Sequence, residues 1–302
     1  MRGISLKVIS VCIFVAMASL LKATGDIPAG QLVFFRSLFA IVPVVIYLAW
    51  QRQLTAGLRT ANLPGHVLRG LTGVASMGLG FYALTKLPLP ESIALGYASP
   101  LLIVVFSAVL LKEHVHLFRW SAVMVGLIGV GIMLWPRLTV FSGQGSIGHE
   151  ETLGAIAALG GAVGSAFAML QVRKLVHTER TETIVLYFFI TASVLALASS
   201  PFGWVMPTTQ QAVFLVLAGF AGGIAQILMT ASYRFADMSV IAPFEYTSLL
   251  LGLIVGYLAF GDIPTVMMLI GAAIVIASGI FVILREHRLG LDRQKSRAAN
   301  TP

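Results

Sequence analysis

The chain has few charged residues and almost no cysteine. Of its 302 residues, 11% are Asp, Glu, Lys or Arg, whereas a soluble domain carries about 25%. The single cysteine, Cys12, excludes a disulfide framework. The sequence also lacks a Gly-rich phosphate loop, a paired zinc-ligand motif and an HExxH motif. These absences argue against a soluble protein, a secreted disulfide scaffold, a nucleotide-driven pump and a metalloenzyme, and no cofactor is predicted.

Long apolar runs instead recur along the whole chain, which is 58% hydrophobic with a mean hydropathy of +0.92. Runs of roughly twenty residues match the length of a membrane-crossing helix, and a bilayer core requires backbone groups that are satisfied internally. We therefore predict an all-α integral membrane protein with ten transmembrane helices. The predicted spans are 4–22, 30–50, 65–86, 91–111, 119–137, 152–173, 181–203, 210–233, 238–260 and 264–284.

The first span has two interpretations. Basic residues precede its apolar run, and Ala16-Met17-Ala18 resembles the small-x-small cleavage site of a signal peptide. The other interpretation is a retained helix. We favour the retained helix, because the apolar run continues through Leu20 and Leu21 and because the internal repeat described below needs this span.

The net charge of +8 is distributed by membrane side. With the N-terminus in the cytoplasm, sixteen Lys and Arg residues fall in cytoplasmic segments, three fall on the opposite side, and Arg36 lies within a span. This asymmetry is the positive-inside pattern. It predicts a multi-pass membrane protein with both termini in the cytoplasm. Residues 285–302 become a basic cytoplasmic tail, and nucleic acid is not a predicted partner.

Two halves of the chain match at a fixed offset of 149 residues. The matching pairs are Gly70 and Gly219, Gly73 and Gly222, Tyr97 and Tyr246, and Ser99 and Ser248. Each half holds five predicted spans, so the two halves must enter the membrane in opposite directions. We predict one five-helix repeat over 4–137 and a second over 152–284. Inverted repeats are common in secondary transporters, whose substrate site lies near the midplane between the halves.

Small residues recur at helical spacing in three of the spans. Glycines four residues apart lie on one helix face and allow close helix packing. Such pairs have two interpretations, namely tight packing within the chain or contact in a homodimer. The pairs are Gly160 and Gly164, Gly219 and Gly223, and Gly252 and Gly256.

Three stretches carry a family resemblance: "VFFRSLFA" in span 2, "ESIALGYASPLLIVVFSAVLLKE" from span 4, and "SVIAPFEYTSLLLGLIVGYLAFGDIPT" from span 9. With ten spans in two halves, the chain resembles the EamA-type drug/metabolite transporter superfamily over residues 4–284. Members of that family carry an arginine early in span 2 and an acidic residue that closes spans 4 and 9. Arg36, Glu113 and Asp262 match this pattern. Glu245 is followed by Tyr246, where the family has proline, so gating of span 9 by a proline is in doubt.

The resemblance implies a secondary transporter of a small organic metabolite. The strings "APFEYTSLL" and "LREHRLG" are most similar to bacterial riboflavin importers, which implies riboflavin uptake. Export of amino acids or related metabolites is an alternative, and so is a membrane scaffold that transports nothing. A membrane enzyme acting on lipids would need His, Asp or Glu clustered at an interface, and the sequence shows no such cluster.

Two charged residues lie inside predicted spans. Arg36 is about 9 Å from the outer end of span 2 at helical rise. Its guanidinium could extend outward to the interface, or it could face the bundle and bind a carboxylate, phosphate or carbonyl. We predict the bundle-facing arrangement. Glu245 lies about seven residues into span 9, too deep for its short stem to reach water, so it either bonds a neighbouring helix or binds substrate or a proton.

Four further side chains are candidates for substrate binding. Tyr82, Tyr97, Gln226 and Tyr246 lie within spans 3, 4, 8 and 9. An inverted repeat would bring Tyr97 and Tyr246 near one pseudo-twofold axis. Tyrosines can also face lipid, so each has an ordinary alternative. Together they suit a flat, uncharged, hydrogen-bonding solute, and Pro100 and Pro243 are expected to loosen spans 4 and 9.

Overall fold

The computed structural model describes residues 2–110, 117–138, 149–175, 178–235, 244 and 246–299. Its long elements are all helical, in agreement with the all-α prediction. The helices are α1 Arg2–Ala23, α2 Ala29–Trp50, α3 Leu54–Leu58, α4 Leu63–Lys86, α5 Leu89–Gly96, α6 Ala98–Leu110, α7 Leu117–Leu138, α8 His149–Leu175, α9 Thr181–Leu197, α10 Thr209–Phe235, α11 Thr247–Val255 and α12 Val266–Ala299. A π-helical turn, Gly256–Phe260, continues α11.

Six segments within the described ranges are long and apolar enough to cross a membrane. They are Gly3–Ala23, Ala29–Trp50, Leu63–Lys86, Leu89–Leu110, Glu150–Val172 and Thr209–Met229. Shorter apolar helices occupy Trp120–Trp135, Thr181–Leu197, Thr247–Phe260 and Val266–Val282. Each of the ten predicted spans therefore contains an apolar helix, and six of these helices reach full membrane length.

Local sequence signals fix several helix ends. Asn62 caps α4, because its side-chain oxygen accepts a hydrogen bond from the Gly65 amide at 3.0 Å. Pro64 follows in the first turn, where its missing N–H costs nothing. The π-helical turn ends at Gly261, whose φ of 67° is the left-handed conformation that glycine adopts without a steric penalty.

The fourth predicted span is interrupted in its first half. Helix α5 ends at Gly96 and α6 begins at Ala98, so Tyr97 alone separates the two helices. Pro100 has no N–H to donate to the Gly96 carbonyl, which explains why the helix is weakened here. Tyr97 has φ −71° and ψ −4°. Tyr246, which the predicted repeat matches to Tyr97, has φ −66° and ψ −14° immediately before α11. Pro243 lies outside the described residues.

The helices pack in a recurring set of pairs. Helix α1 packs against α10, α4 packs against α8, and α7 packs against α12. Helix α2 contacts both α9 and α10, and α9 also contacts α4. Three buried apolar clusters fill the interior. One surrounds Tyr97 and Leu249, a second lies around Leu21 and Leu215, and a third surrounds Phe188 and Phe189.

The paired glycines are used for packing inside this chain. A Cβ added at Gly164 would lie 3.0 Å from the Ser76 Cβ of α4. A Cβ at Gly223 would lie 2.7 Å from the Ala40 carbonyl oxygen of α2, and one at Gly256 would lie 2.8 Å from Pro90 Cδ. These three glycine faces are therefore covered by neighbouring helices of the same chain. This agrees with the interpretation that the glycine pairs allow tight packing within the chain. A homodimer stays a prediction and would need another surface.

Candidate functional site

Tyr97, between α5 and α6, contacts Tyr246, which immediately precedes α11. Their ring centroids are 5.1 Å apart and the ring planes are inclined by 63°, an edge-to-face arrangement. Such a contact is worth about 0.5–1.5 kcal/mol beyond the burial of area. The Tyr97 hydroxyl shares a hydrogen bond with Ser248 Oγ, and the Tyr246 hydroxyl lies against Gly279 of α12. We call these two residues the tyrosine pair.

Tyr82 borders the same apolar cluster as the tyrosine pair. It is half-buried on α4, one turn before the helix ends at Lys86. The Lys86 ammonium lies 5.9 Å from the Tyr82 ring centroid and forms an ion pair with Glu150 at the start of α8. Tyr82 is therefore near one end of the bundle rather than deep in the span, although it shares an apolar neighbourhood with the tyrosine pair.

Arg36 is buried inside the helix bundle. The residue is only 5% exposed. Its Nη1 donates to Met77 Sδ at 3.1 Å, and its Cζ lies 5.0 Å from the Phe189 ring centroid. Among the described residues, the buried Nε has no acceptor. Since a thioether sulfur is a weak acceptor, the guanidinium charge is left largely uncompensated. The side chain points into the bundle and does not extend to the surface.

Arg69 is a second arginine with buried guanidinium nitrogens on a partly buried side chain. The sequence analysis counted it only as a cytoplasmic charge. Its Cζ lies 4.1 Å from the Phe188 ring centroid. Its buried Nε and Nη1 have no acceptor in the described part of the chain. A signal was available, because Arg69 is already inside the predicted span 65–86. The reasoning that singled out Arg36 by its depth in an apolar run applies equally to Arg69.

The two guanidiniums lie over neighbouring rings of α9. The Phe188 and Phe189 centroids are 5.4 Å apart, and each ring carries one arginine. A desolvated cation–π contact is worth about 2 kcal/mol. Removing an ion from water costs several kcal/mol, which is more than this contact contributes. The two like charges also repel each other. We call Arg36 and Arg69 the arginine pair.

Gly73 and Gly222, which the predicted repeat matches to each other, make room for the arginine pair. A Cβ added at Gly222 would lie 3.0 Å from Arg36 Nε. A Cβ added at Gly73 would collide with Arg69 Nη1 and would lie 2.8 Å from Phe188 Cε2. The matched glycines of the repeat therefore leave the space that the guanidiniums occupy.

Gln226 and Glu245 are the remaining candidates for substrate binding. Gln226 is half-buried on α10, one helical turn beyond Gly222 and on the same face, which is the face that Arg36 contacts. Glu245 lies outside the described residues, as does Glu113. The structure therefore brings Tyr97 and Tyr246 into contact but places Arg36 in a different apolar neighbourhood, beside Arg69.

One end of the bundle is tied together by a lysine and an aspartate. The Lys22 Nζ, at the end of α1, donates to the Leu87 carbonyl at 2.6 Å and lies 3.8 Å from Asp262 Oδ2. The same carboxylate oxygen accepts a hydrogen bond from the Leu89 amide at 2.8 Å. This Lys22 cluster connects α1, the α4–α5 turn and the turn before α12.

The opposite end is tied together by Glu179. Its Oε1 accepts hydrogen bonds from Thr60 Oγ1 at 2.7 Å and from the amides of Ala61 and Asn62 at 2.9 Å each. Its Oε2 lies 3.8 Å from His66 Nε2. Burial acts to raise the pKa of the Glu179 carboxyl, but these hydrogen bonds and the nearby His66 together lower that pKa below its ordinary value. This Glu179 cluster connects the α8–α9 and α3–α4 loops.

The described residues contain no group of three or more His, Cys, Asp or Glu that could hold a metal ion. They form instead a bundle of apolar helices with polar side chains buried at its centre, an interrupted helix at that level, and a polar cluster at each end. Broken helices around buried polar groups are the architecture of membrane transporters.

The chain belongs to the EamA-like transporter family. The family model matches the sequence twice, over residues 1–135 and again over residues 152–285. This confirms the resemblance found in the sequence. The protein is a multi-pass membrane transporter of small metabolites and not an enzyme.

Named relatives cover most of the chain. A riboflavin transporter of Vibrio cholerae is 30% identical over 258 residues, which is 85% of this chain and 83% of the relative. An S-adenosylmethionine uptake transporter of Rickettsia prowazekii is 26% identical over 87% of this chain and 84% of its own length. A pseudopaline exporter of Pseudomonas aeruginosa is 27% identical over 92% and 94%.

A solved crystal structure shares the fold. It superposes with a TM-score of 0.66 and covers 95% of this chain and 98% of its own length, at 22% sequence identity. The relatives named above include both uptake proteins and an exporter, so family membership leaves the substrate and the direction of transport open.

Proposed function

We propose that the chain is a secondary transporter of the bacterial inner membrane, with both termini in the cytoplasm and inverted repeats at 4–137 and 152–284. The helix contacts support this arrangement. Exchanging the repeats turns the α1–α10 contact into the α8–α4 contact, and it turns the α2–α10 contact into the α9–α4 contact. A phosphatase active only outside the cytoplasm, fused after Arg285, should be inactive, and a fluorescent reporter fused there should be bright. The reverse result would reject the topology.

In this topology the Lys22 cluster lies at the outer end of the bundle and the Glu179 cluster lies at the inner end. Each cluster joins segments from both repeats. Alternating access then requires that the two clusters open in turn, while the tyrosine and arginine pairs stay between them. No nucleotide is needed, since the solute gradient or a coupled ion supplies the driving force.

Riboflavin, taken up from outside, is the substrate that we propose. The single observation that carries this proposal is the edge-to-face tyrosine pair, which lies at the interruption between α5 and α6. A flavin ring is flat, uncharged at neutral pH and rich in carbonyl acceptors, so it can stack on one ring while hydroxyls and amides bind its edge. The likeness to the riboflavin transporter of Vibrio cholerae supports the same choice. Tyr82, Gln226 and Arg36 are the proposed donors around it.

Growth rescue tests this substrate. The protein is expressed in a bacterium that neither makes nor imports riboflavin, and the vitamin is supplied at low concentration. Growth and uptake of labelled riboflavin are expected with the wild type, and both should fall with Tyr97→Ala at equal abundance in the membrane. If the protein is present in the membrane without growth or uptake, the riboflavin proposal fails and the transporter family assignment is unaffected.

Glu245 is a further proposed transport residue. Its depth in the ninth predicted span places a carboxylate where its own stem cannot reach water. Glu245→Gln should lower transport more than it lowers abundance, and a changed pH dependence of uptake would indicate proton coupling. Normal abundance with a parental transport rate would make Glu245 a bystander.

A further inference from the structure

We propose that Arg36 and Arg69 together form a subsite for an oxyanion group, a carboxylate or a phosphate, on the transported solute. The inference rests on the proposed function in one respect, that a solute passes through this bundle. It goes beyond that function because riboflavin carries no oxyanion. It predicts that an anionic solute binds better than a neutral analogue with the same ring.

The donors of the arginine pair have no acceptor in the described part of the chain. Arg36 Nε, Arg69 Nε and Arg69 Nη1 are all buried and unsatisfied, and the acceptor of Arg36 Nη1 is a thioether. A buried donor without a partner carries the full cost of its lost hydration. An anion arriving between the guanidiniums would satisfy these donors and neutralise the charge at the same time.

Among the described residues, no carboxylate of the chain forms an ion pair with Arg36 or Arg69. Ion pairs found there include those of Lys22 with Asp262, His66 with Glu179, Lys86 with Glu150 and Arg180 with Glu182. None of these pairs includes Arg36 or Arg69. The nearest of these acids along α9, Glu182, is directed to Arg180 at 3.8 Å. The arginine pair thus places two positive charges, one buried and one partly buried, side by side without a counter-ion among the described residues.

The local shape suits an oxyanion. A guanidinium presents its N–H groups in a planar fork that matches two oxygens of a carboxylate or phosphate. The rings of Phe188 and Phe189 cover one side of the pair, and the glycines at 73 and 222 remove the side chains that would otherwise fill the space. Arg36 is also beyond the reach of lipid headgroups, because it is 5% exposed. The anion therefore comes from solution.

Matched pairs of probes isolate the contribution of the oxyanion. Binding to purified protein in lipid nanodiscs is measured by calorimetry for riboflavin 5′-phosphate against riboflavin, and for benzoate against the neutral, similarly shaped benzamide. Inorganic phosphate is measured alone. In at least one pair, the anionic member should bind at least tenfold more tightly. Arg69→Gln should weaken binding of the anion at least tenfold and change binding of the neutral member less than twofold. Arg36→Gln should weaken binding of the anion at least tenfold more than it weakens binding of the neutral member.

A glycine variant tests the geometry without removing charge. Gly73→Ala places a methyl group where the Arg69 guanidinium lies, so the guanidinium must move while the net charge is kept. Anion affinity should fall several-fold. Gly78→Ala on the same helix is the matched control, since a Cβ there meets nothing within 4 Å, and its affinity should equal that of the wild type. This comparison decides the question if an arginine variant fails to fold.

Three results would overturn the subsite: no preference for either anion, a preference that survives both arginine variants, or binding of inorganic phosphate that no organic anion displaces. The last result would identify a free inorganic ion rather than a solute group. Riboflavin uptake without any anion preference refutes the subsite and leaves the riboflavin proposal standing. Anion preference without flavin binding supports the subsite and refutes the riboflavin proposal.

Discussion

The tyrosine pair and the arginine pair differ in how their polar atoms are satisfied. The Tyr97 hydroxyl has an acceptor and donor in Ser248, and its ring has a partner in Tyr246. The arginine pair has aromatic faces and a thioether, but its buried nitrogens lack oxygen acceptors among the described residues. Polar groups satisfied within a protein stabilise that arrangement, whereas buried donors without partners are costly until something binds them. Substitutions in the two pairs should therefore separate binding from stability.

The largest effect is expected from Arg36→Lys. Lysine keeps the charge but replaces the planar five-donor fork by a single ammonium group. If the fork binds the solute, the initial rate of uptake of a solute that the wild type transports should fall at least tenfold, with membrane abundance within about 30% of the wild type. Radiolabelled uptake into cells measures the rate, and immunoblotting of the membrane fraction measures abundance.

Arg285→Lys is the control for this substitution, since Arg285 is exposed on α12 beyond the apolar segment Val266–Val282. It should transport at the parental rate. An unchanged rate for Arg36→Lys itself would show that a positive charge alone is sufficient and would remove the main difference between the two pairs.

A smaller effect is expected in the tyrosine pair. Tyr97→Ala removes one proposed aromatic partner of the flavin ring, a contact worth about 0.5–1.5 kcal/mol, so riboflavin affinity should fall between about twofold and tenfold. Tyr97→Phe keeps the ring and loses only the hydroxyl bonded to Ser248. Its affinity should change less than threefold, while its thermal stability should fall. Titration of riboflavin and thermal unfolding of the same preparations measure both quantities.

Tyr257→Ala provides the control for loss of a tyrosine, because Tyr257 is 62% exposed on the π-helical turn. It should bind riboflavin like the wild type. If Tyr97→Phe lowers affinity as much as Tyr97→Ala does, the hydroxyl rather than the ring recognises the flavin, and Tyr97 then resembles the arginine pair.

Asp262→Asn should loosen the Lys22 cluster with little effect on affinity. The half-buried ion pair is worth about 1 kcal/mol at most, and Asn still accepts from the Leu89 amide. Hydrogen–deuterium exchange of peptides covering 84–92 should accelerate up to about fivefold. Glu150→Gln, which breaks the more exposed pair with Lys86 at the same end, is the control and should leave this exchange rate unchanged. Equal acceleration in both variants would mean that Asp262 has no special part in closing this end.

Sequence reasoning found the helices because long apolar runs and prolines are local signals. It also placed the interruption near Pro100, since the missing N–H of a proline acts within one helical turn. It missed Arg69, because a count of charges by membrane side uses only the position of a residue and ignores the direction of its side chain. Lys7, counted as a cytoplasmic charge, is likewise only 1% exposed. The Glu179 cluster was out of reach, because it joins loops more than a hundred residues apart.

The smallest effect concerns Glu179, whose satisfied carboxylate should affect stability and not affinity. Its pKa in the folded protein lies below the ordinary value of 4.5, because Thr60 and the amides of Ala61 and Asn62 donate to it. A lowered pKa contributes stability that is present above about pH 4.5 and is lost as the pH falls through the folded value. Glu179→Gln should lower the unfolding temperature at pH 7 by about 2–4 °C, and this difference from the wild type should shrink below pH 4.5.

Tryptophan fluorescence during heating in nanodiscs measures this difference from pH 7 to pH 3.5, with Glu150→Gln as the exposed control. A difference that stays constant down to pH 3.5 would show that the hydrogen bonds do not depend on ionisation of Glu179. Loss of solute affinity in Glu179→Gln would show that the Glu179 cluster acts in binding, contrary to the distinction between satisfied and unsatisfied polar groups.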